Sequence, residues 1–445
     1  GAPHDGNDAA DEWERLNGGV RFDWRVNERD KLTFTATALY MDTHGLFNET
    51  KIRLLDDGIY EDLSRYGKGG LMARWERDHG DQGALQLQLY YHRWESVDRL
   101  LDERRDLVEI DYQHRRKLGE RHDLMWGLGY RFTTDNTIGD IRLDPKERND
   151  NTFQAFLQDE IDLVHDKLTL IIGTKLEHND YTGLELGPNI RAVYTPNEKH
   201  TAWAAISRAF RSPARIETDA EIPNMSLPGL EVGLVGRKDY QSEDVVSYEL
   251  GYRWAPTEDF SADLALFYAR YGNLRTVELR WPKIVWDFPP RLMIPFAARN
   301  NASSENAGVE LSLNWKPKSW WRLRAGYSYL NIDLDLDVRT LDLFTAETAG
   351  DAPRHSAWIW SSMHTTEKTN LDIMLRYVGE LRTLDVEDYL ELDVRFGWQP
   401  NEHVELAIVG QNLLHEQHQE FGTSIVGNLP SQVERGVYGQ VTWKF

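Results

Sequence analysis

YLELDVRFGW, residues 389–398, reads as one strand with two unlike faces. Leu390, Leu392, Val394, Phe396 and Trp398 occupy every second position, and Glu391, Asp393 and Arg395 sit between them. Side chains alternate face along a strand, so this period of two separates an apolar face from a charged one. The apolar stripe ends on Trp398, and a short polar turn, QPNEHV, follows.

The pattern recurs along the chain. ALQLQLYYHRW (84–94) sets Leu85, Leu87, Leu89 and Tyr91 against Gln86, Gln88, Tyr90 and His92. NLDIMLRYV (370–378), AGVELSLNW (307–315), VSYELGYRW (246–254), HDLMWGLGYRF (122–132) and GVRFDWRV (19–26) divide the same way. So does the end of the chain, GVYGQVTWKF (436–445), with Gly439, Val441, Trp443 and Phe445 on one face.

Two folds can use such strands, a soluble sandwich and a membrane barrel. A sandwich of this size needs strands buried on both faces in a shared dry core, and almost none occur. Here the second face carries charge nearly everywhere, and Trp24, Trp254, Trp315 and Trp398 close apolar stripes. A polar lumen, a lipid-facing apolar band and an aromatic girdle explain both features. The mean hydropathy of −0.59 looks soluble, and no stretch approaches the roughly 18 apolar residues of a membrane helix, which excludes a helical membrane protein. It does not exclude a barrel, whose strands each need only about ten alternating residues. The expected fold is therefore all-β, a transmembrane antiparallel barrel, in a single domain over 1–445.

Composition narrows the function. The net charge of −22 argues against a nucleic-acid partner. With no Cys, disulfide scaffolds and thiolate metal sites are excluded. The first residues, GAPHDGNDAADEW, have neither the basic start nor the apolar run of a signal peptide.

Short polar turns (VNERDK, RDHGDQ, KLGERH, LVHDKL, TPNEKH, APTEDF, KPKSW, TTEKTN, QPNEHV) alternate with longer irregular segments. The longer ones fall near 41–67, 95–105, 133–150, 178–186, 209–244, 272–298, 331–355, 379–388 and 412–434. Barrels place tight turns on the periplasmic rim and long loops outside. Nine connections of each kind predict about nineteen strands, an odd number where bacterial single-chain barrels have an even one. The first strand would then begin outside the cell. The expectation is that an upstream part, an odd number of strands with whatever precedes them, lies outside this sequence; the alternative is that two strands are merged or one is missed in this count.

Several segments resemble the TonB-dependent outer-membrane receptors. LGPNIRAVYTPNEKHTAWAAISRAFRSPARIE (186–217) is similar to their mid-barrel signature, and DYQSEDVVSYELGYRW (239–254) to the segment after it. NNASSENAGVELSLNWKP (300–317) and VGQNLLHEQHQEF (409–421) resemble their late-barrel elements. VERGVYGQVTWKF (433–445) resembles the terminal assembly signal, on Val441, Trp443 and Phe445. The sequence departs at Gly236-Arg237, where Gly-Asn is usual, and at His415, where Asp is common.

The resemblance implies twenty-two strands around a plug that contacts TonB, with the plug and three strands upstream of this sequence or on a separate chain. It also implies the Gram-negative outer membrane, contact with lipid and lipopolysaccharide, no cofactor and no catalysis. The expected activity is TonB-coupled uptake of a scarce ligand, a ferric siderophore or similar iron complex, or cobalamin. A passive porin-type channel is the alternative. A rim-site enzyme and a soluble β-rich binding protein stand behind it.

Candidate ligand contacts lie in two segments. RAFRSPARIE carries Arg208, Arg211 and Arg215, whose guanidinium forks suit an anionic ligand, or else acidic lumen and lipopolysaccharide groups. RWPKIVWDFPPRLMIPF (280–296) offers Trp281, Trp286, Phe288 and Arg291 for an aromatic or macrocyclic ligand. His415, Glu416, His418 and Glu420 look like a metal set, but the spacing is not HExxH and no helix is expected, so none is assigned. His355 and Ser356 are the nearest approach to a hydrolase pair, and read as the start of a strand.

Overall fold

The computed structural model describes residues 2–3, 12–48, 59–98, 100–139, 141–286, 289–338, 340, 342, 345–422 and 431–444. Its wall is built from long strands. The first five are β1 (Trp13–Arg25), β2 (Asp30–Asn48), β3 (Ile59–Asp78), β4 (Gly83–Val97) and β5 (Leu101–Leu118). Then come β6 (His122–Gly139), β7 (Glu147–Val164), β8 (Leu168–Asn179), β9 (Gly183–Asn197) and β10 (His200–Arg211). After an excursion follow β11 (Glu243–Thr257), β12 (Phe260–Leu279), β13 (Arg291–Lys318), β14 (Trp321–Leu336) and β15 (His355–Thr366). The last four are β16 (Thr369–Val378), β17 (Tyr389–Asn401), β18 (Val404–Gln411) and β19 (Gly436–Trp443). Each pairs antiparallel with the next, and the sheet curls into a barrel. The strand number matches the expectation from the turns.

Register explains the two faces. Ala73, Leu89, Ile110, Tyr130 and Phe153 lie side by side across β3 to β7. One step along, Arg74, Gln88, Asp111, Gly129 and Gln154 form the adjacent row on the other face. The first row faces outward: Leu89, Ile110 and Phe153 are exposed, as lipid-facing side chains are. The second row lines the lumen and satisfies itself. Arg74 donates to Gln88 Oε1 from Nε at 2.9 Å and Nη2 at 2.7 Å. Arg131 grips Glu109 with two bonds of 2.9 and 3.0 Å. A dry protein core is nearly missing among the described residues; Leu143, Ala220 and Ile222 form one small buried apolar cluster.

The strands outrun the membrane. β13 has 28 residues and β3 has 20, where about ten suffice to cross. Two segments expected as long loops are therefore tight connections. Only 98–100 joins β4 to β5, and 180–182 joins β8 to β9. Charged alternation such as ESVDRLLDERRD (95–106) continues the strand into water, where polar residues on both faces hide the period.

Three outer connections knit together above the wall. The 212–242 excursion holds the short helix α1 (Arg215–Asp219) and a hairpin of Ala220–Leu227 with Leu230–Val235. The hairpin's first strand pairs with Arg142–Leu143, and its second runs parallel to Leu292–Ala297 of β13. Separately, Ala2–Pro3 pairs with Gln432 and Ser431, beside Gln417–Gln419.

The two ends of the wall share a direction. β1 runs from the outer rim into the short turn 26–29, and β19 also descends from an outer connection. Among the described residues no ladder joins β1 to β19, and every residue of β1 is exposed.

Candidate functional site at the outer rim

The arginines of RAFRSPARIE separate according to strand parity. Arg208 and Arg211 are three residues apart on β10, so they face opposite ways. Arg208 lies on the outward face with Ile206, donates to the Leu186 carbonyl at 2.5 Å and pairs with Asp244 at 3.6 Å. Arg211 faces inward and spends its fork on two carboxylates. Nη1 and Nη2 reach Glu217 at 3.1 and 2.7 Å, and Nε and Nη2 reach Glu243 at 2.9 and 2.6 Å. Glu217 also accepts the Ala214 N–H at 2.8 Å, which closes the first turn of α1. Tyr240 donates its hydroxyl to Glu243 at 3.0 Å.

Arg215 is 6% exposed and holds a second knot. Its Nε donates to Asp219 at 3.0 Å, and its other nitrogens contact Asp135 and the Pro145 carbonyl. Asp219 also accepts from Arg148 at 3.0 Å and Lys238 at 2.5 Å. Arg148 in turn bonds Asp150 at 2.6 Å and lies 4.0 Å over the Tyr181 ring. This cation–π contact and the carboxylates leave Arg148 fully engaged.

The titration of these loop groups follows from their partners. Burial would raise the Asp219 carboxyl, but hydrogen bonds from Lys238, Arg215 and Arg148 outweigh it and hold it below the usual range. Burial, then the nearby carboxylates, pushes the Tyr181 and Tyr240 phenols well above their ordinary value. Both therefore stay donors.

The second candidate segment is an exposed tip. Lys283–Val285 pairs back onto Arg291–Met293, and Trp281 and Trp286 flank it, 92% and 82% exposed. Arg291 turns away from the tip to Glu231 at 2.8 Å, which ties the tip to the 220–235 hairpin. Phe288 and Phe445 lie outside the described residues. Val441 and Trp443 lie on β19, both strongly exposed.

The remaining sequence candidates fall apart or regroup. His355 bonds Tyr327 at 2.9 Å, whereas Ser356 bonds Ser328 at 2.6 Å on the other face, so they make no catalytic pair. His418 and Glu420 come together with Glu391 of β17, whereas His415 bonds the Leu390 carbonyl at 3.0 Å. Sequence reading missed Asp135, Arg148, Asp150, Tyr181, Asp219 and Glu243. Their partners lie as many as 80 residues away, and no local pattern marks them.

Residues 2–413 match the family model described as TonB dependent receptor-like, beta-barrel. The fold is similar to that of the siderophore receptor PirA from Acinetobacter baumannii, at TM-score 0.75 and 12% identity over 98% of this chain and 72% of that one. It is also similar to a mutant of the ferric enterobactin receptor PfeA from Pseudomonas aeruginosa in complex with enterobactin, at TM-score 0.74 and 14% identity over 97% of this chain and 70% of that one. The copper transporter OprC aligns at TM-score 0.73 and 14% identity over 100% of this chain and 74% of its own. No curated protein sequence matches. The match to the family model extends over almost all of the wall, from ahead of β1 to just past β18, and the chain belongs to the TonB-dependent receptor family as its β-barrel.

Proposed function

We propose that this chain is the barrel of an outer-membrane active transporter that captures a scarce ligand outside and passes it inward with TonB-coupled energy. The ligand class is an iron–siderophore-type complex, bound at the outer rim with Trp281 and Trp286 stacking on it, while Arg211, Arg215 and Arg291, each spent on a carboxylate, brace the loops around it. Family membership supports the transport class. The exposed aromatic tip supports a ligand with flat, apolar surface.

One observation carries the reading: β1 and β19 end the wall running in the same direction, and among the described residues no ladder joins them. Antiparallel neighbours throughout require an odd number of further strands between them. Three would give a wall of twenty-two, the size whose lumen holds a plug rather than an open channel. In this reading the plug and those strands belong to the same transporter, and the plug carries the contact to TonB. The barrel adds no covalent chemistry.

The test is uptake of radiolabelled ferric siderophores by cells carrying the whole transporter, with and without a protonophore. Saturable uptake that collapses with the proton gradient supports the proposal. Steady large conductance of the whole transporter in planar bilayers, with no energy dependence, would mean a passive channel instead. Trp281→Ala with Trp286→Ala should weaken ligand binding about tenfold, measured by fluorescence quenching.

A further inference from the structure

We propose that the inner face of the wall near β17 holds a site for one divalent metal ion, with Glu391, His418 and Glu420 as ligands. One donor atom from each lies within 4.8 Å of the others. Glu391 projects from β17, directly opposite Arg376 of β16. His418 comes from the Gln417–Gln419 strand, and Glu420 follows it. Three ligands thus arrive from two chain segments, and no spacing rule in the sequence could join them.

The polar balance around these groups points to a cation. The two carboxylates share one guanidinium: Arg376 Nη2 contacts Glu391 and reaches Glu420 Oε1 at 2.8 Å. His418 donates from Nε2 to the same Glu420 oxygen at 3.1 Å. Its Nδ1 is then a bare acceptor, and it is buried without a hydrogen-bond partner on a residue 9% exposed. Asn412 repeats the pattern. It is 0% exposed, its Nδ2 donates at 3.0 Å to the carbonyl of Val433, and its Oδ1 has no partner. Val433 is the residue opposite His418, so both orphan acceptors border one short ladder. Two carboxylates against one guanidinium leave this half-buried place net negative, and a buried polar atom without a partner, as His418 Nδ1 is, is normally satisfied by something.

An imidazole nitrogen with two carboxylates suits Zn2+ or Cu2+ better than Ca2+ or Mg2+, which prefer all-oxygen shells. The imidazole is held in place: the Tyr389 ring packs on it at 4.3 Å. The same tyrosine gives Arg376 somewhere to go, since its guanidinium lies 5.8 Å from that ring. Arg376 is thus a resident counter-ion that an incoming metal displaces.

The experiment is titration of the full chain in detergent, stripped of metal, with Zn2+ by calorimetry and Cu2+ by electron paramagnetic resonance. One equivalent is expected, with hyperfine coupling to one imidazole nitrogen. His418→Ala and Glu391→Gln should each weaken binding at least tenfold. Arg376→Gln should tighten it, a gain that misfolding cannot produce. No saturable equivalent in the unaltered chain would overturn the proposal. So would unchanged affinity and nitrogen coupling in His418→Ala, because another histidine would then be the ligand.

Discussion

Trp203 lies flat over Gly251, the residue directly opposite it on the neighbouring strand; a Cβ built at 251 would stand 2.1 Å from the indole. The same relation joins Phe156 to Gly127, Phe267 to Gly308 and Trp358 to Gly326. All four pairs face the lumen. The glycines let large rings lie along the wall, so the inner surface stays open while the rings still cover backbone.

Gly251→Val should therefore lift Trp203 into the lumen and destabilise the barrel by about 1–3 kcal/mol, the usual cost of overpacking. The denaturant midpoint of the micelle-bound barrel measures it. Gly69→Ala is the control, since nothing lies within 4 Å of its added Cβ. Equal effects at both positions would mean that β propensity, and not the ring, sets the cost.

The facing of β4 makes a sharper prediction. Leu89→Arg puts a charge on the outward row and should cost about 2–4 kcal/mol if that row meets the middle of the bilayer. Gln88→Glu, one residue away on the lumen row, should cost far less, because a carboxylate keeps both bonds from Arg74. Folding titrations in lipid vesicles read both. Similar costs at 88 and 89 would contradict the assignment of faces.

The wall was legible because its signal is local and repeated. YLELDVRFGW and ALQLQLYYHRW each state facing, direction and girdle within about ten residues, and the turns between them number the strands. Where strands leave the membrane the period loses its apolar partner, so 98–100 and 180–182 read as loops much longer than they are. The rim was legible only in part. Arg211 and Arg215 stood out as a basic run, but their partners Glu243 and Asp135 lie 32 and 80 residues away in the sequence, on β11 and β6. Arg208 was grouped with them by sequence proximity, although strand parity sends it to the other face.

Arg211 is the cross-brace of the long outer excursion, and its removal should be felt there first. Arg211→Gln leaves Glu217, with a side chain 3% exposed, short of its main cation. The expected cost is about 2–3 kcal/mol, at or below the low end for a broken buried pair because Arg211 itself is partly solvated. Arg211→Lys should restore less than half, since a point charge cannot hold both carboxylates in a fork. Amide exchange across 212–242 reports the loss, while exchange in β4 and β5 should stay unchanged.

Asp219 predicts how the rim responds to acid. Its carboxyl is held below the usual range by Lys238, Arg215 and Arg148 against the opposing effect of burial. A depressed folded value contributes stability that is fully present above the unfolded pKa of about 3.9 and is lost as pH falls through the lower folded value. The excursion should keep its protection from pH 7 to about 5 and lose it progressively as pH falls below about 4, after correction for intrinsic exchange. Asp219→Asn should show the same opening already at pH 7, because the amide cannot neutralise three cations. Wall strands serve as the internal reference, and β7 is the sensitive one, since Arg148 belongs to both the wall and the knot. Opening confined to 212–242 assigns the acid response to Asp219. Uniform loosening of β7 with the rest of the wall would assign it to the lumen carboxylates instead, and a rim equally protected at pH 7 and pH 3 would contradict the role given to Asp219.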